Sequence, residues 1–412
     1  MVWAGISAFV LVGGLTELIR RLAIRCALID HPNAHKGHER PTPYLGGIGI
    51  VIGVLTPTLL VMGDERLAVM VAAAAAVSGI GLIDDLLRLS PATRLVAETL
   101  AAVVVVAVYG GVGIAGHLDD LIGVLWIVVM TNSFNLLDNM DGMAAGVAYV
   151  TSTVLSLSAC MVGQPDVGML LLALSCGCAG FLPHNWNPAR IFMGDAGSLF
   201  IGFVISSSTF VIYTHSGRMT TITGALLTTF VATVDTALVF ISRYRAGRPL
   251  LLGGTDHASH RLRQLGFRPR QVAFALSGTA AVSSLGGITV LRGWIPAFVL
   301  LTIATAFAAV LVWLLLNVPV YPSLKGPSSG SSTLGADEWP AASVARRDEL
   351  GRGADLHRGR HRGHLAALRR VLRPRSGGRG DRRAPQAPDA GGQGRRRAVD
   401  VHRERGVGHR GG

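Results

Sequence analysis

The chain has 412 residues, of which half are hydrophobic and only 15% are charged. Soluble domains usually carry about 25% charged residues, so this composition argues against a long soluble enzyme and against a collagen-like chain. The net charge of +13 divides into +2 for residues 1–321 and +11 for residues 322–412, so the basicity does not indicate a nucleic-acid-binding core.

Apolar segments recur along the first three quarters of the chain, and most are roughly 20 residues long, which is enough to cross a bilayer core. They lie near residues 3–19, 45–62, 67–83, 95–115, 121–137, 143–162, 166–183, 196–214, 219–242, 271–290 and 294–318. A segment in lipid must satisfy its own backbone hydrogen bonds, which favours helices. The sequence therefore predicts an all-α polytopic membrane protein with about 11 transmembrane helices.

The connections between these segments differ in charge. One alternating set holds 15 Lys and Arg residues and the other holds three. Because positively charged connections stay in the cytoplasm, we expect the N-terminus outside and the C-terminus inside. The connections rich in Asp, Asn, His and Gly all belong to the cytoplasmic set, which is typical of an enzyme that uses cytosolic substrates.

The first cytoplasmic connection contains Lys36 and His38, with prolines and glycines around them. These cationic side chains could bind an anion, although an ordinary loop explains them equally well. The next connection begins with Asp84 and Asp85, at the end of an apolar segment. Two adjacent carboxylates beside lipid are costly without partners, so a cation site or a proton acceptor is favoured over a helix cap.

The third cytoplasmic connection, residues 132–142, has two carboxylates and three amides but no cation. Asn135, Asp138 and Asp141 indicate a ligand-binding site, with a hydrogen-bonded turn as the alternative. On a helix, Asp138 and Asp141 would share one face.

Two later connections complete the polar set. Asp195, in Phe192-Met-Gly-Asp195, is expected near a helix N-terminus, as a ligand site or a plain N-cap. His257, His260 and Arg261 form a plausible phosphate-binding edge; a zinc site or a solvated loop are the alternatives.

Outside these connections the sequence indicates little chemistry. The four cysteines are interpreted as small apolar residues. Residues 322–412, rich in Arg, Gly, Ala, Ser and Pro, predict a basic, disordered cytoplasmic tail or the product of a shifted reading frame. The remaining residues, 1–321, are predicted to form one membrane-embedded domain.

The cytoplasmic connections together predict a site with about five carboxylates, Mg²⁺ and a basic rim. Such a site fits phosphoryl transfer.

Five motifs give the chain a resemblance to the polyprenyl-phosphate N-acetylhexosamine-1-phosphate transferases, whose superfamily includes the phospho-MurNAc-pentapeptide translocase. They are Pro32-Asn33 through Gly46-Gly47, Asp84-Asp85, Asn135-Leu-Leu-Asp138-Asn-Met-Asp141-Gly142, Phe192-Met-Gly-Asp195-x-Gly-Ser198 and Asp256-His257-x-x-His260-Arg261. The resemblance covers roughly residues 5–318.

The resemblance implies a reaction and a set of roles. A polyprenyl phosphate would attack the β-phosphate of a UDP-sugar and release UMP, with Mg²⁺ (or Mn²⁺) as cofactor, at the cytoplasmic face of a bacterial-type plasma membrane. Catalytic roles fall on Asp84, Asp85 and Asp195, and metal-binding roles on these three and Asn135. Substrate-binding roles fall on Lys36, His38, Asn135, Asp138, Asp141, Phe192, His257, His260 and Arg261.

The sequence departs from the family at two points. It has His35-Lys36 where the family often has Arg-Lys, and it has two histidines where the pentapeptide translocase has three. We therefore expect the chain to transfer GlcNAc-1-phosphate, in the first membrane step of cell-wall or surface-polysaccharide synthesis. Transfer of phospho-MurNAc-pentapeptide is the alternative. A transporter and an inactive scaffold are the alternatives from other classes, and a homodimer is compatible with all of them.

Overall fold

The apolar segments of the sequence form helices in the computed structural model, which describes residues 1–30, 41–111, 115–214, 216–250 and 254–320, apart from the side chain of His117. The helices are α1 (Val2–Arg25), α2 (Gly46–Val61), α3 (Glu65–Leu87), α4 (Pro91–Tyr109), α5 (Asp119–Leu137), α6 (Met143–Met161), α7 (Pro165–Asn185), α8 (Gly194–Tyr213), α9 (Arg218–Thr228), α10 (Phe230–Arg245), α11 (Ala258–Gln264), α12 (Pro269–Leu291) and α13 (Ala297–Leu316). A short 3₁₀ turn, Gly116–Leu118, precedes α5.

Within the described residues, nine helices are long and apolar enough to cross a membrane. The pair α9 and α10 adds a broken span, bent by 77°, and the 16-residue α2 is a shorter apolar helix. Each of the eleven predicted segments therefore has its helical counterpart, and the prediction of an all-α polytopic membrane protein is confirmed. The predicted tail lies outside the described residues.

Helix α8 lies at the centre of this arrangement. Every residue from Ala196 to Tyr213 is buried, and α2, α3, α5 and α6 all pack against the helix. Apart from small hydroxyl residues the helix carries apolar side chains on every side, so it has no charged face beyond its first turn to offer to water and becomes the core of the bundle. The N-terminus of α8 is thereby placed among the ends of its neighbours.

Two short strands lie between α1 and α2 and contact the segment that precedes α8. Ile29–Asp30 (β1) pairs with Thr42–Pro43 (β2) in antiparallel register. The carbonyl of Pro43 accepts a hydrogen bond from Phe192 N (2.9 Å), and Gly47 N donates to the carbonyl of Met193 (2.8 Å). These bonds fasten the base of the first connection, and the beginning of α2, to the segment that enters α8.

Candidate active site

Asp85 joins the end of α3 to the beginning of α8. One of its carboxylate oxygens accepts from the backbone N–H of Asp195 (2.9 Å) and the other from that of Ala196 (3.1 Å). A carboxylate at this position satisfies two of the four unpaired N–H groups of the helix and faces the positive end of its dipole. Asp85 is therefore a helix cap, but the helix that it caps is α8 and not its own.

Arg94, in the first turn of α4, joins two more carboxylates. Its Nη1 donates to Asp84 Oδ2 (3.1 Å) and to Asp195 Oδ2 (2.9 Å). The other Asp84 oxygen accepts from the backbone N–H of Leu89 (2.6 Å). Asp84 and Asp195 therefore share one cation, although they come from different helices.

A buried acid lies behind this cation. Glu98 is 1% exposed, and its Oε1 lies 3.7 Å from Arg94 Nε. Its Oε2 accepts a hydrogen bond from the side-chain amide of Asn132. The single guanidinium of Arg94 thus faces three carboxylates, so this part of the site has an excess of negative charge.

Asn135 fixes Asp195 from the side of α5. Its Nδ2 donates to Asp195 Oδ1 and to Ser198 Oγ, both at 2.8 Å. Asp195 lies in the first turn of α8, as predicted. Four of the predicted residues, Asp84, Asp85, Asn135 and Asp195, are therefore brought together at one end of the bundle.

Asp138 and Asp141 do not share a helix face, because α5 ends at Leu137 and α6 begins at Met143. Both lie in the connection, which turns at Gly142 with φ +72°. Asp141 Oδ2 accepts from Asn187 Nδ2 and from the backbone N–H of Ala189, both at 2.9 Å. Asp141 thus ties this turn to the connection that leads toward α8.

Asp138 is different, because no hydrogen bond reaches its carboxylate from the described residues. Burial, followed by repulsion from the carboxylates of Asp195 and Asp141, raises the pKa of Asp138 to about 7. A carboxylate in this state gains stability from any cation that approaches it.

Helix α11 carries the histidine motif and is bound to the same turn. Ser259 Oγ donates to Asn139 Oδ1 at 2.5 Å. His257 is buried, and its Nδ1 lies 2.8 Å from Asp235 Oδ2 on α10. The ring of His260 lies 6.2 Å from that of His257. Burial, and then the positive charge of its neighbours, lowers the pKa of His260 to about 4, so this ring is neutral at physiological pH.

Arg261 is 2% exposed, and its guanidinium is surrounded by acceptors of the protein. It donates to the carbonyls of Leu315 (2.8 Å) and Val318 (2.7 Å) at the end of α13, to Ser242 Oγ (2.6 Å) and to the carbonyl of Asp256 (3.1 Å). These bonds hold α10, α11 and α13 together. The predicted contact between Arg261 and a phosphate stays a prediction.

The remaining predicted residues divide into two groups. Phe192 is half-buried, and its backbone bonds both to Pro43 and to Gly46 (Gly46 N donates to its carbonyl, 2.9 Å), so it lies at the junction of the first connection and α8. Lys36 and His38 lie outside the described residues.

Three partners of the predicted residues were missed in the sequence: Arg94, Glu98 and Asp235. A signal existed for Glu98 and Asp235, because an acid inside an apolar segment indicates a functional site by default. Arg94 precedes an apolar segment like many other basic residues, and nothing in the sequence near it points to Asp195, 101 positions away.

A divalent cation is compatible with this donor set. No three His, Cys, Asp or Glu side chains of the described residues are close enough together to hold a metal ion by themselves. Mg²⁺, however, usually takes one or two carboxylates and completes its shell with water and substrate phosphate oxygens. Asp138 and Asp195 fit this use best. Asp138 has no hydrogen-bond partner among the described residues, and Asp195 lies against the carboxylate of Asp84 as well as the side chains of Arg94 and Asn135, so a cation would offset repulsion there.

Comparison with known proteins relates the chain to enzymes of one kind. Residues 67–214 match the family model described as glycosyl transferase family 4. A protein of Streptomyces coelicolor, provisionally named a glycosyltransferase, is 35% identical over 76% of this chain and 76% of the relative. The decaprenyl-phosphate N-acetylglucosaminephosphotransferase of Mycobacterium leprae is 30% identical over 66% of this chain and 79% of the relative. A Bacillus subtilis protein named as a probable undecaprenyl-phosphate N-acetylglucosaminyl 1-phosphate transferase is 27% identical over 69% of this chain and 84% of the relative.

Proposed function

Because the chain belongs to glycosyl transferase family 4, among the polyprenyl-phosphate N-acetylhexosamine-1-phosphate transferases, we propose that it transfers GlcNAc-1-phosphate from UDP-GlcNAc to a polyprenyl phosphate. The observation that carries the proposal is the convergence of Asp84, Asp85, Asn135 and Asp195 at the N-terminus of α8. Three helices and one cation, Arg94, build this site at one end of the bundle.

In the proposed reaction, an oxygen of the polyprenyl phosphate attacks the β-phosphorus of UDP-GlcNAc. The new P–O bond forms while the bond between the β-phosphorus and the oxygen bridging to the α-phosphate breaks. The electron pair of the broken bond leaves with UMP, and the lipid keeps the sugar through a diphosphate. No proton is needed if the attacking phosphate is already ionised, so the protein chiefly positions the groups and stabilises their charge.

Each residue has a role that its contacts support. Arg94 can approach a phosphate oxygen, because its side chain is 22% exposed where its guanidinium bridges two carboxylates from two helices. Asp85 keeps the N-terminus of α8 in place, and Asn135 orients Asp195. The turn around Asp138 and Asp141 would form one wall of the nucleotide-sugar pocket.

We also propose that Mg²⁺ is the cofactor and that Asp195 and Asp138 hold it. When bound, the ion would neutralise diphosphate charge at the reacting centre. The excess of carboxylate over guanidinium around Asp195 supports this proposal, since a cation offsets repulsion that Arg94 alone leaves in place.

The sugar and the face of the membrane belong to the proposal as well. Two relatives are named for GlcNAc-phosphate transfer, one to decaprenyl and one to undecaprenyl phosphate. Two histidines in the α11 motif, and not three, favour this donor over the phospho-MurNAc-pentapeptide donor. The charge of the connections favours a site on the cytoplasmic face, where UDP-sugars are made.

The proposal is tested by UMP release. The purified protein in nanodiscs is given undecaprenyl or decaprenyl phosphate, Mg²⁺ and a panel of UDP-sugars that includes UDP-GlcNAc and UDP-MurNAc-pentapeptide. We expect UMP with UDP-GlcNAc only, and loss of at least 100-fold in rate for Asp195→Asn, as for removal of a charge-stabilising group.

Two controls make the outcome decisive. Asp166→Asn changes a carboxylate in the first turn of α7, at the end of the helix away from the site, and should keep full activity. Absence of UMP with every donor, from protein that retains its thermal unfolding transition, would move the assignment to a scaffold or a transporter.

A further inference from the structure

Asp235 and His257 form a buried pair that the proposed reaction does not yet use. Asp235 lies on α10 and is 2% exposed, and His257 precedes α11 and is 3% exposed. Asp235 Oδ2 lies 2.8 Å from His257 Nδ1, and Asp235 Oδ1 accepts from the backbone N–H of Ala258 at 2.7 Å. Both oxygens of this carboxylate are therefore directed at α11.

This arrangement decides which nitrogen of His257 carries the proton. The bond from Ala258 fixes the plane of the carboxylate, and an ionised carboxylate only accepts hydrogen bonds. Nδ1 must then be the donor, and Nε2 becomes the edge that is free to meet a ligand. Among the residues that the structure describes, none hydrogen-bonds to Nε2.

The pair is linked to the proposed nucleotide-sugar pocket through the turn between α5 and α6. Ser259, two residues after His257, donates to Asn139 in that turn, next to Asp138. The carboxylates of the site outnumber its cations, so a diphosphate needs further donors to approach it. His257, two residues before Ser259, can supply one when its Nε2 is protonated, because Nδ1–H remains bonded to Asp235.

We propose that Asp235 is a positioning residue, which holds His257 so that its Nε2 edge meets a phosphate oxygen of one of the two substrates; the proposal rests on the proposed function. With Nδ1–H on Asp235, Nε2 accepts a proton from water as the anionic phosphate approaches, which leaves hydroxide to the solvent and makes the ring an imidazolium. Its Nε2–H then donates a charge-assisted hydrogen bond to the anionic oxygen. The phosphate belongs either to the UDP-sugar or to the lipid, and both carry the same chemistry.

The first test reads the proton position directly, by ¹⁵N NMR of histidine-labelled protein in nanodiscs, with His257→Gln to assign the signal. We expect the Nδ1–H form in the wild type. In Asp235→Asn the amide oxygen still accepts from Ala258, so the NH₂ group faces Nδ1 and the proton moves to Nε2. Asp256→Asn, which removes a neighbouring buried carboxylate that pairs with Arg243, should leave the proton on Nδ1. An unchanged tautomer in Asp235→Asn would overturn the proposal.

The second test is a double-mutant cycle. We expect Asp235→Asn to lower kcat/KM about 100-fold for one substrate, as for loss of one preorganised donor. Varying the UDP-sugar and the lipid phosphate in turn identifies which phosphate is bound. Since Asp235 acts through His257, the double variant with His257→Gln should be no more than about threefold worse than His257→Gln alone. Full additivity of the two losses would show an independent, structural role for Asp235 and would overturn the proposal.

Failure of the proposed function gives a different pattern. If the wild type releases no UMP, the His257 Nε2 signal is followed while UDP-GlcNAc and undecaprenyl phosphate are added separately. A shift with either ligand, absent in Asp235→Asn, supports the phosphate contact without catalysis. No shift with either ligand overturns the contact.

Discussion

At the scale of single residues, the charge of the site depends on Arg94. Its guanidinium bridges Asp84 and Asp195, and Glu98 lies behind it. Several carboxylates in a membrane-embedded site are tolerated because a cation is shared among them. Removal of Arg94 would leave them to repel one another until another cation takes its place.

The sharing of Arg94 among these carboxylates predicts that Mg²⁺ stabilises a variant without this cation more than it stabilises the wild type. We expect Mg²⁺ to bind Arg94→Ala about tenfold more tightly than wild type, which adds about 1.4 kcal/mol of stabilisation at saturating metal. The measurement is the thermal unfolding temperature in detergent as a function of Mg²⁺ concentration.

The matched control is Arg20→Ala, because Arg20 pairs with Glu17 at 2.9 Å and has the same side-chain exposure as Arg94, 22%. Its Mg²⁺ dependence should equal that of the wild type. Adding Asp195→Asn to Arg94→Ala should remove the extra stabilisation. Equal Mg²⁺ dependence in Arg94→Ala and Arg20→Ala would refute metal binding at this cluster.

Arg261 provides a second prediction. Its removal takes a side-chain donor from the carbonyls of Leu315, Val318 and Asp256 and from Ser242 Oγ, so we expect Arg261→Ala to lower the free energy of unfolding by about 2–5 kcal/mol. Arg261→Lys should not restore stability, because one ammonium group cannot reach acceptors on α10, α11 and α13 together. Unfolding temperatures measured without substrate decide the matter: values equal to wild type would favour a role in substrate binding alone.

The sequence predicts residues of this site unequally well. We could predict Asp84, Asp85 and Asp195, because a carboxylate beside lipid costs free energy and is therefore expected to have a partner or a function. The separate role of each carboxylate could not be predicted. Asp85 caps a helix that starts more than 100 residues later, and Asp141 is held by Asn187 and Ala189; such partners are fixed only by tertiary packing.

At the scale of elements, the site depends on how closely α3 approaches the start of α8. Gly81 has no side chain where a Cβ would lie 2.5 Å from the carbonyl oxygen of Asp195. Gly47 allows α2 to approach α8 in the same way, because a Cβ at this position would overlap the backbone of Gly197. Small residues at helix contacts in membranes allow this approach.

Two glycines of α3 test this point with the same substitution. We expect Gly81→Ala to push Asp195 away, to destabilise the protein by about 1–3 kcal/mol and to lower the transfer rate at least tenfold. Gly79→Ala, two residues earlier, meets no atom within 4 Å. It should be neutral, or more stable by up to about 1 kcal/mol, since alanine favours the helix. Equal effects of the two variants on unfolding temperature and rate would contradict the packing argument.

Elements were more predictable than their details. Apolar length alone located all the long helices, because each apolar segment must satisfy its backbone in lipid. The short helix α11 lies in a polar connection and was not predicted. The break at Thr229, which bends α9 against α10 by 77°, leaves hydropathy unchanged and was not predicted. The spacing of Asp138 and Asp141 was compatible with a helix, but α5 ends at Leu137, before both residues, and Gly142, with φ +72°, precedes α6.

At the scale of the whole molecule, all polar connections that build the site lie at one end of the bundle. Cys26, at the end of α1, leads into the strands that bond to the start of α8 and so lies at the site end. Cys160, exposed near the end of α6, lies at the opposite end, since α6 begins at the Asp138–Asp141 turn. The charge of the connections predicts that the site end is cytoplasmic.

These two native cysteines measure the orientation. In intact bacterial cells, a membrane-impermeant maleimide should label Cys160, and it should label Cys26 only after the cells are permeabilised. Cys26→Ser and Cys160→Ser assign each signal by mass spectrometry. Labelling of Cys26 from outside intact cells would place the site on the external face and would contradict the account.

In the proposed reaction, the β-phosphate moves to the lipid together with the sugar. UDP-GlcNAc labelled with phosphorus-32 at the β-phosphate is incubated with the protein, undecaprenyl phosphate and Mg²⁺, and lipid and water phases are separated. We expect one labelled phosphate in the lipid phase for each UMP released, and transfer at least 100-fold slower with Asp195→Asn. Label that stays in the water phase as UDP while the sugar enters the lipid, or label that never leaves UDP-GlcNAc, would contradict sugar-1-phosphate transfer.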